Sequence, residues 1–447
     1  MSSTSAALQS KLDSILAARR SSSGVSPSSI LSVSSTALSE AISSIDNGKN
    51  AVVIEIGAKL TKLGCAGEIT PRHIIRTECR DLDGSLITSS DIMAMNNQKT
   101  MKKSVEYYTN QLLKFFRHIF FNVLAIMPSQ RPVIFVESVF MSTELRNAIT
   151  KIVFETLRCR SVMFIPSHVA CTFAFNTQNA LVVDIGHSEC IAMPVVEGVT
   201  MLNEFESARS MCGEQLEKRV RYLLQKYAKI EAKDGNRRPI EIEDWQEIEE
   251  MKLVETIEIH SVCCTMEKAK QWKEWEEAEA DKKPEIETIT KEKCVLARGK
   301  NIVIPPVVFE TSMELMFDET LRGESFDRNL PEILLKIVQK CPIDIRKNLL
   351  RNILLIGGVS IVPGFKARLK EELEVTAAKM SMSKSCEDIK FYQFKDIKNF
   401  PLFNAWIGAS LFGSLRDTVE RRSLTLEEYE EGKLPADWTD IIVNISS

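Results

Sequence analysis

The chain has 447 residues, with 57 Lys and Arg against 61 Asp and Glu for a net charge of −4, and 44% hydrophobic against 26% charged residues. That balance belongs to a globular protein able to bury a sizeable core, and it excludes a general nucleic-acid binder, which needs a concentrated basic surplus. No run of about 18 uncharged apolar residues is present, so no membrane span is expected.

Residues 1–50 hold 17 serines and little large apolar bulk, and the composition changes abruptly at Ala51. Such a segment cannot bury enough apolar surface to offset its ordering entropy, so 1–50 reads as a disordered Ser-rich tail. Within it Leu8, Leu12, Ile15 and Leu16, flanked by Lys11, Arg19 and Arg20, have helical spacing. They form either a nascent helix in a flexible tail or a short amphipathic docking segment. Residues Met1 to Ser10 lack the basic start and apolar block of a secretory signal, which predicts a reducing compartment. The 11 cysteines, scattered with no CxxC pair, are then expected as thiols, and with five dispersed histidines no zinc site is expected.

The folded body begins with Ala51-Val-Val-Ile-Glu55-Ile-Gly57, and Ala180-Leu-Val-Val-Asp184-Ile-Gly186 repeats its pattern of apolar run, acid, apolar residue and glycine. Each continues as a second strand-like run, through Lys62 to Gly67 and through Ile191 to Gly198. A duplicated strand–acid–turn–strand unit predicts two similar domains facing each other. Between them 143–157 reads as a helix with Leu145, Ala148, Ile149, Ile152 and Val153 on one side, and Pro166 ends the strand-like stretch that follows. Residues 214–227 form the next helix, and 266–283 a heavily charged one carrying Trp272 and Trp275. That charged helix is either solvated with its tryptophans laid on the body, or a partner-binding insertion. A third strand–turn, Ile353-Leu-Leu-Ile-Gly357-Gly358, feeds a helix over 365–374.

Turns between strands expose consecutive N–H groups, and glycine lets them approach an anion. Two converging turns can grip the phosphates of one nucleotide, with Glu55 and Asp184 holding water ligands of Mg²⁺ and the Gly357-Gly358 turn against the nucleoside. Hydrolysis would further need a group orienting the attacking water.

Specific motifs then identify the relatives. Arg131-Pro-Val-Ile-Phe-Val-Glu137 through Arg146 to Phe154-Glu-Thr156 resembles the actins. So do Cys341-Pro-Ile-Asp-Ile-Arg-Lys347 through Gly357-Gly358 to Pro363-Gly364, Ala405-Trp-Ile-Gly-Ala-Ser410, and Glu428-Tyr429. The resemblance runs through nearly all of 51–447. It implies an α/β, two-lobed actin-like ATPase fold built from duplicated ribonuclease-H-like domains. On it 51–180 is the first part of lobe one with a shortened outer subdomain, 181–352 is lobe two with a charged insertion near 266–300, and 353–447 returns to lobe one.

Departures from actin shape the functional expectation. The first phosphate loop reads Glu55-Ile-Gly57-Ala58-Lys59, with no hydroxyl at Ala58 and Lys59 in place of a glycine, while Lys62 matches actin's lysine. In the second loop Asp184 and Gly186 match, but His187 replaces an aspartate; His168 falls near actin's water-orienting glutamine, and Leu402 stands where actin has a lysine beside the adenine. The two histidines are either polar packing beside a vacated site or altered site residues. No catalytic residue is assigned, and the chain is not expected to be an enzyme. The resemblance implies a degenerate nucleotide site of Glu55, Gly57, Lys62, Asp184, Gly186, Gly357 and Gly358, holding ATP or ADP with Mg²⁺ as a structural ligand. The stretch from Glu68 to His168 is shorter than in actin, and residues 80–100 look unlike the loop that grips the next subunit. Together with Pro166-Ser167-His168 and the 341–347 run, this resembles the actin-related proteins of the ten/eleven type at the pointed end of dynactin. The implied partners are a centractin-type actin-related filament and the other dynactin pointed-end subunits, and indirectly dynein, in the cytoplasm and cytoskeleton. A nucleotide-hydrolysing filament former and an actin-related subunit of a chromatin-remodelling complex are the alternatives. Residues 433–447, with Trp438 and the apolar run 441–443, form a further candidate docking strip.

Overall fold

The computed structural model describes residues 50–96, 103–129, 131–232, 235–279, 282–297, 300–322, 328–382, 384, 386, 388–392, 400–436 and 438. The Ser-rich tail up to residue 49 and the apolar run 441–443 lie outside them.

The first apolar run forms β1 (Val52–Ile56), buried at Val52, Val53 and Ile54, and β2 (Leu60–Cys65) folds back on it with Glu55 opposite Lys62. β3 (His73–Arg76) pairs antiparallel with β2. A hairpin of β4 (Cys79–Arg80) and β5 (Leu86–Ile87) follows, then a short helix Ser89–Ile92 whose Thr88 and Asp91 form a capping box. The helix Val105–Arg117 leads to β6 (Pro132–Glu137) and, past the helix Thr143–Lys151, to β7 (Ser161–Pro166). β1, β6 and β7 are parallel neighbours in one sheet. Residues 152–156 of the expected helix continue as a wider π-type turn.

After the helix Ser167–Ala174 the pattern repeats. β8 (Ala180–Ile185) pairs antiparallel with β9 (Cys190–Val196), which also carries β10 (Val199–Thr200) and β11 (Glu206–Ala208). The helix Gly213–Tyr227 precedes a small antiparallel sheet of β12 (Lys229–Glu231), β13 (Arg237–Pro239), β14 (Lys293–Ala297) and β15 (Lys300–Ile304). Inside that excursion lie the helices Ile242–Glu250, Leu253–His260 and Met266–Glu277. The charged helix stops at Glu277, short of the expected 283, because Ala278 is extended. Lys283 returns to lie 3.4 Å from the centroid of the Trp275 ring. Trp272 is buried, its indole N–H donating to the buried Glu310 carboxylate at 3.2 Å, so both tryptophans are laid on the body.

β16 (Ile353–Ile356) pairs parallel with β8, and the helix Phe365–Lys379, a turn longer than expected, buries Phe365, Leu369 and Leu373 in the core beneath the second sheet. The chain therefore does not return to lobe one at 353: backbone pairing to β8 keeps this strand in the second sheet. Return comes with the helix Phe400–Gly413 and with β17 (Leu424–Thr425), which pairs with β7 on the edge of the first sheet.

Four cores are found among the described residues. One lies under each of the two large sheets, and a third joins them: Val53, Ile134 and Ile165 from the first sheet and Val182, Val195 and Ile356 from the second meet Trp406, Ile407 and Ala170. The fourth packs the small β12–β15 sheet against its helices through Leu223, Trp272, Ile302 and Phe309. The architecture is the two-lobed mixed α/β fold expected from the duplicated pattern. Among the described residues, no helix is long and apolar enough to cross a membrane.

The motif residues that carried the resemblance turn out to meet one another. Arg146 donates from Nε to Glu137 at 3.1 Å with both side chains fully buried. The Tyr429 hydroxyl donates to Glu155 at 2.9 Å while its ring lies 4.9 Å from that of Phe154. Arg346 donates to the carbonyl of Cys341 at 2.8 Å, and Pro363 is held from outside the motifs, its carbonyl accepting the Cys263 N–H at 2.8 Å.

Candidate functional site: the two facing hairpin loops

The repeated acid–apolar–glycine sequence makes the same turn twice. The Gly57 N–H donates to the Leu60 carbonyl at 3.1 Å and the Gly186 N–H to the Glu189 carbonyl at 2.9 Å. A side chain at 57 would stand 2.7 Å from the Leu60 oxygen, so only glycine closes the first turn. Gly357 has φ of +88°, and a Cβ there would lie 2.3 Å from the Ile185 oxygen and 2.7 Å from Asp184 Oδ1. That glycine thus sets the third turn against the second loop. Gly358 faces Leu402, whose Cδ1 would stand 3.8 Å from a Cβ at 358, placing an aliphatic side chain beside that turn.

Cross-strand register explains the acid–base pair at the mouth: Lys62, opposite Glu55, turns its ammonium onto the Glu55 carboxylate. The second carboxylate oxygen of Glu55 is buried and has no hydrogen-bond partner among the described residues. Asp184 joins the same charge cluster across the lobes. Burial raises its carboxyl to about 7, with Lys62 pulling it down and Glu55 and Glu189 pushing it further up. Five of the seven expected site residues, Glu55, Gly57, Lys62, Asp184 and Gly186, thereby belong to two like turns with linked charges, and Gly357 abuts one of them.

The two histidines part company. His168 is fully buried at the start of its helix, 3.2 Å from the Ser167 hydroxyl, and burial drives its ring down to about 4, so it is neutral at pH 7. His187 instead accepts the Glu214 N–H on its carbonyl at 2.7 Å, while the Gly213 N–H donates to the Gly186 carbonyl at 2.9 Å. The N-terminus of the helix Gly213–Tyr227 is thus spent on capping the second loop. Burial lowers the His187 ring as well, against the opposing charge of Glu217.

Lys59 does not point at Glu55 or Asp184. Its ammonium is bonded to Glu217 and lies 3.5 Å from Glu258 and 3.8 Å from Glu255, all three in the second lobe. Burial works to lower the Lys59 ammonium, but the hydrogen bond to Glu217 and the three negative charges overcome it and hold the group above its ordinary pKa. Arg76 on β3 also pairs with Glu255. The backbone beneath Lys59 is tied down: the Thr77 N–H donates to the Lys59 carbonyl at 3.0 Å, and the Thr77 hydroxyl to the Gly57 carbonyl at 2.6 Å. A further bridge between lobes runs from the Ser138 hydroxyl to Glu189 at 3.0 Å.

Sequence reasoning singled out Lys59 as a departure but missed Glu217, Glu255, Glu258, Glu189, Ser138 and Thr77. The i, i+3 spacing of Glu255 and Glu258 was the one available hint that both share a helix face.

These residues fit a phosphate-bearing ligand on one side only. The paired turns, Lys62, Asp184 and the unpartnered Glu55 oxygen are suited to phosphate and to the waters of a divalent cation. Ala58 brings no hydroxyl, and Lys59 is engaged elsewhere.

The family model described as actin matches residues 47–434 of the chain. Among curated proteins, "Actin-related protein 10" of Dictyostelium discoideum is 28% identical over 420 residues, covering 86% of this chain and 86% of the relative. "Putative actin-29" of the same organism is 24% identical over 408 residues, covering 86% of this chain and 95% of its own length.

Proposed function

The chain belongs to the actin family, and we propose that it serves there as a non-catalytic structural subunit that caps the pointed end of the dynactin minifilament. In that role it would bind the terminal centractin-type subunit and recruit the companion pointed-end proteins, supporting dynein-based transport along microtubules in the cytoplasm. The observation that carries this reading is the first phosphate loop: Ala58 lacks the hydroxyl, and the adjacent Lys59 is committed to Glu217, Glu255 and Glu258. A loop so engaged cannot rearrange around a terminal phosphate without first giving up those pairs. The pointed-end assignment is supported by the likeness to an actin-related protein 10 and by the short run between Glu68 and His168.

A nucleotide can still serve as cement. Glu55 and Asp184 would hold the water ligands of Mg²⁺, Lys62 the phosphates, and Gly57, Gly186, Gly357 and Gly358 would admit the ligand close to the backbone. Bound there, ATP or ADP would contribute phosphate charge that both lobes contact.

The test is direct. Fluorescently labelled full chain, added to growing centractin-type filaments, is expected to sit at one end and stop growth there. Label incorporated along the filament length would overturn the reading, and a tagged protein confined to the nucleus would favour a chromatin-remodelling subunit.

A further inference from the structure

We propose that Lys59 is a built-in cross-link between the lobes, which holds the cleft shut whether or not a nucleotide is bound. The inference concerns the cleft alone and does not rest on the pointed-end reading.

The first support is the composition of the cluster. Glu217 comes from the helix Gly213–Tyr227, and Glu255 and Glu258 from the helix Leu253–His260, so two helices of the second lobe aim three carboxylates at one place. Without a cation those carboxylates would repel one another at short range. The cations that pair directly with them, Lys59 in the β1–β2 turn and Arg76 on β3, both come from the first lobe, while Lys252, at the start of the second of these helices, adds a weaker charge beside Glu255. The second support is burial. Side-chain exposure is 21% for Lys59, 24% for Glu217, 23% for Glu255 and 16% for Glu258, so water screens this network far less than an exposed pair.

The third support is anchorage at both ends. Thr77 holds the Gly57 and Lys59 carbonyls on one side. On the other, the Gly213 and Glu214 N–H groups clasp the second loop through Gly186 and His187. The Lys59–Glu217 bond therefore joins the first hairpin to the helix that caps the second. A lysine side chain thus spans from the first loop to the helices of the second lobe.

Hydrogen–deuterium exchange of the full chain, stripped of nucleotide with a chelator, tests this. Wild type is expected to keep slow exchange at 57–61, 186–189 and 213–217. Lys59→Ala should exchange about tenfold faster there, and Lys59→Arg should restore protection. Glu217→Gln provides a second route should Lys59→Ala fold poorly, and is expected to loosen the same segments. Unchanged exchange in both Lys59→Ala and Glu217→Gln would overturn the proposal. So would a wild type that loses protection on nucleotide removal to the level of Lys59→Ala.

Discussion

Gly408 lies directly against Ala170: a methyl group at 408 would stand 1.6 Å from the Ala170 carbonyl oxygen. The two residues belong to the helices Phe400–Gly413 and Ser167–Ala174, which fill the core between the sheets. Gly408→Ala must therefore push these helices apart and loosen Trp406, whose indole N–H donates to the Val53 carbonyl at 3.1 Å. Overpacking of this kind costs about 1–3 kcal/mol, which a lowered denaturant midpoint would register. A midpoint equal to wild type would show that the interlobe core is slack.

Glu137 and Arg146 form a fully buried pair, and the Trp438 indole N–H donates to the other Glu137 oxygen at 2.5 Å. Glu137→Ala strands the arginine charge in the core and should cost about 3–5 kcal/mol. Replacing both members by Met is expected to recover most of that loss, because the apolar pair needs no solvation. Trp438→Ala should cost less, since it leaves the ion pair intact. Denaturant titration of the four proteins separates these outcomes.

The cluster around Lys59 predicts a pH signature. Burial raises the Glu258 carboxyl to about 7, so between its ordinary value and 7 the folded chain holds a proton that the unfolded chain has released. Stability from this group is thus lost as pH rises through that window. Glu258→Gln removes the dependence: the variant should match wild type near pH 5 and exceed it by on the order of 1–2 kcal/mol at pH 8. Thermal melts at the two pH values decide it, and a variant weaker than wild type at pH 8 would count against the assignment.

Nucleotide as cement predicts binding without turnover. ATP with Mg²⁺ should raise the melting temperature, because a ligand selective for the folded chain stabilises it by about 2.7 kcal/mol at a hundredfold excess over Kd. Lys62→Met should abolish most of the rise. A flat wild-type response would mean that no nucleotide is held.

Much of the fold was legible because apolar runs ending in an acid and a glycine have one comfortable outcome, a buried strand and a tight turn. Glu55, Lys62, Asp184 and Gly186 fall where that pattern places them. The return to lobe one was misplaced at 353 because β16 reads like any buried strand, and only its parallel pairing with β8 assigns its sheet. The extent of the charged helix was overestimated because charge periodicity continues past Glu277 while the backbone turns at Ala278. The partners of Lys59 were illegible for a different reason. Glutamates at 217, 255 and 258 look like solvated helix faces until the second lobe is set opposite the first.

The claim that this actin-family chain no longer hydrolyses nucleotide is tested most directly by steady-state phosphate release from Mg²⁺–ATP by the purified full chain. With Lys59 bound to Glu217 and no hydroxyl at Ala58, release should not exceed the chain-free control. Sustained release that Asp184→Asn abolishes would contradict the account.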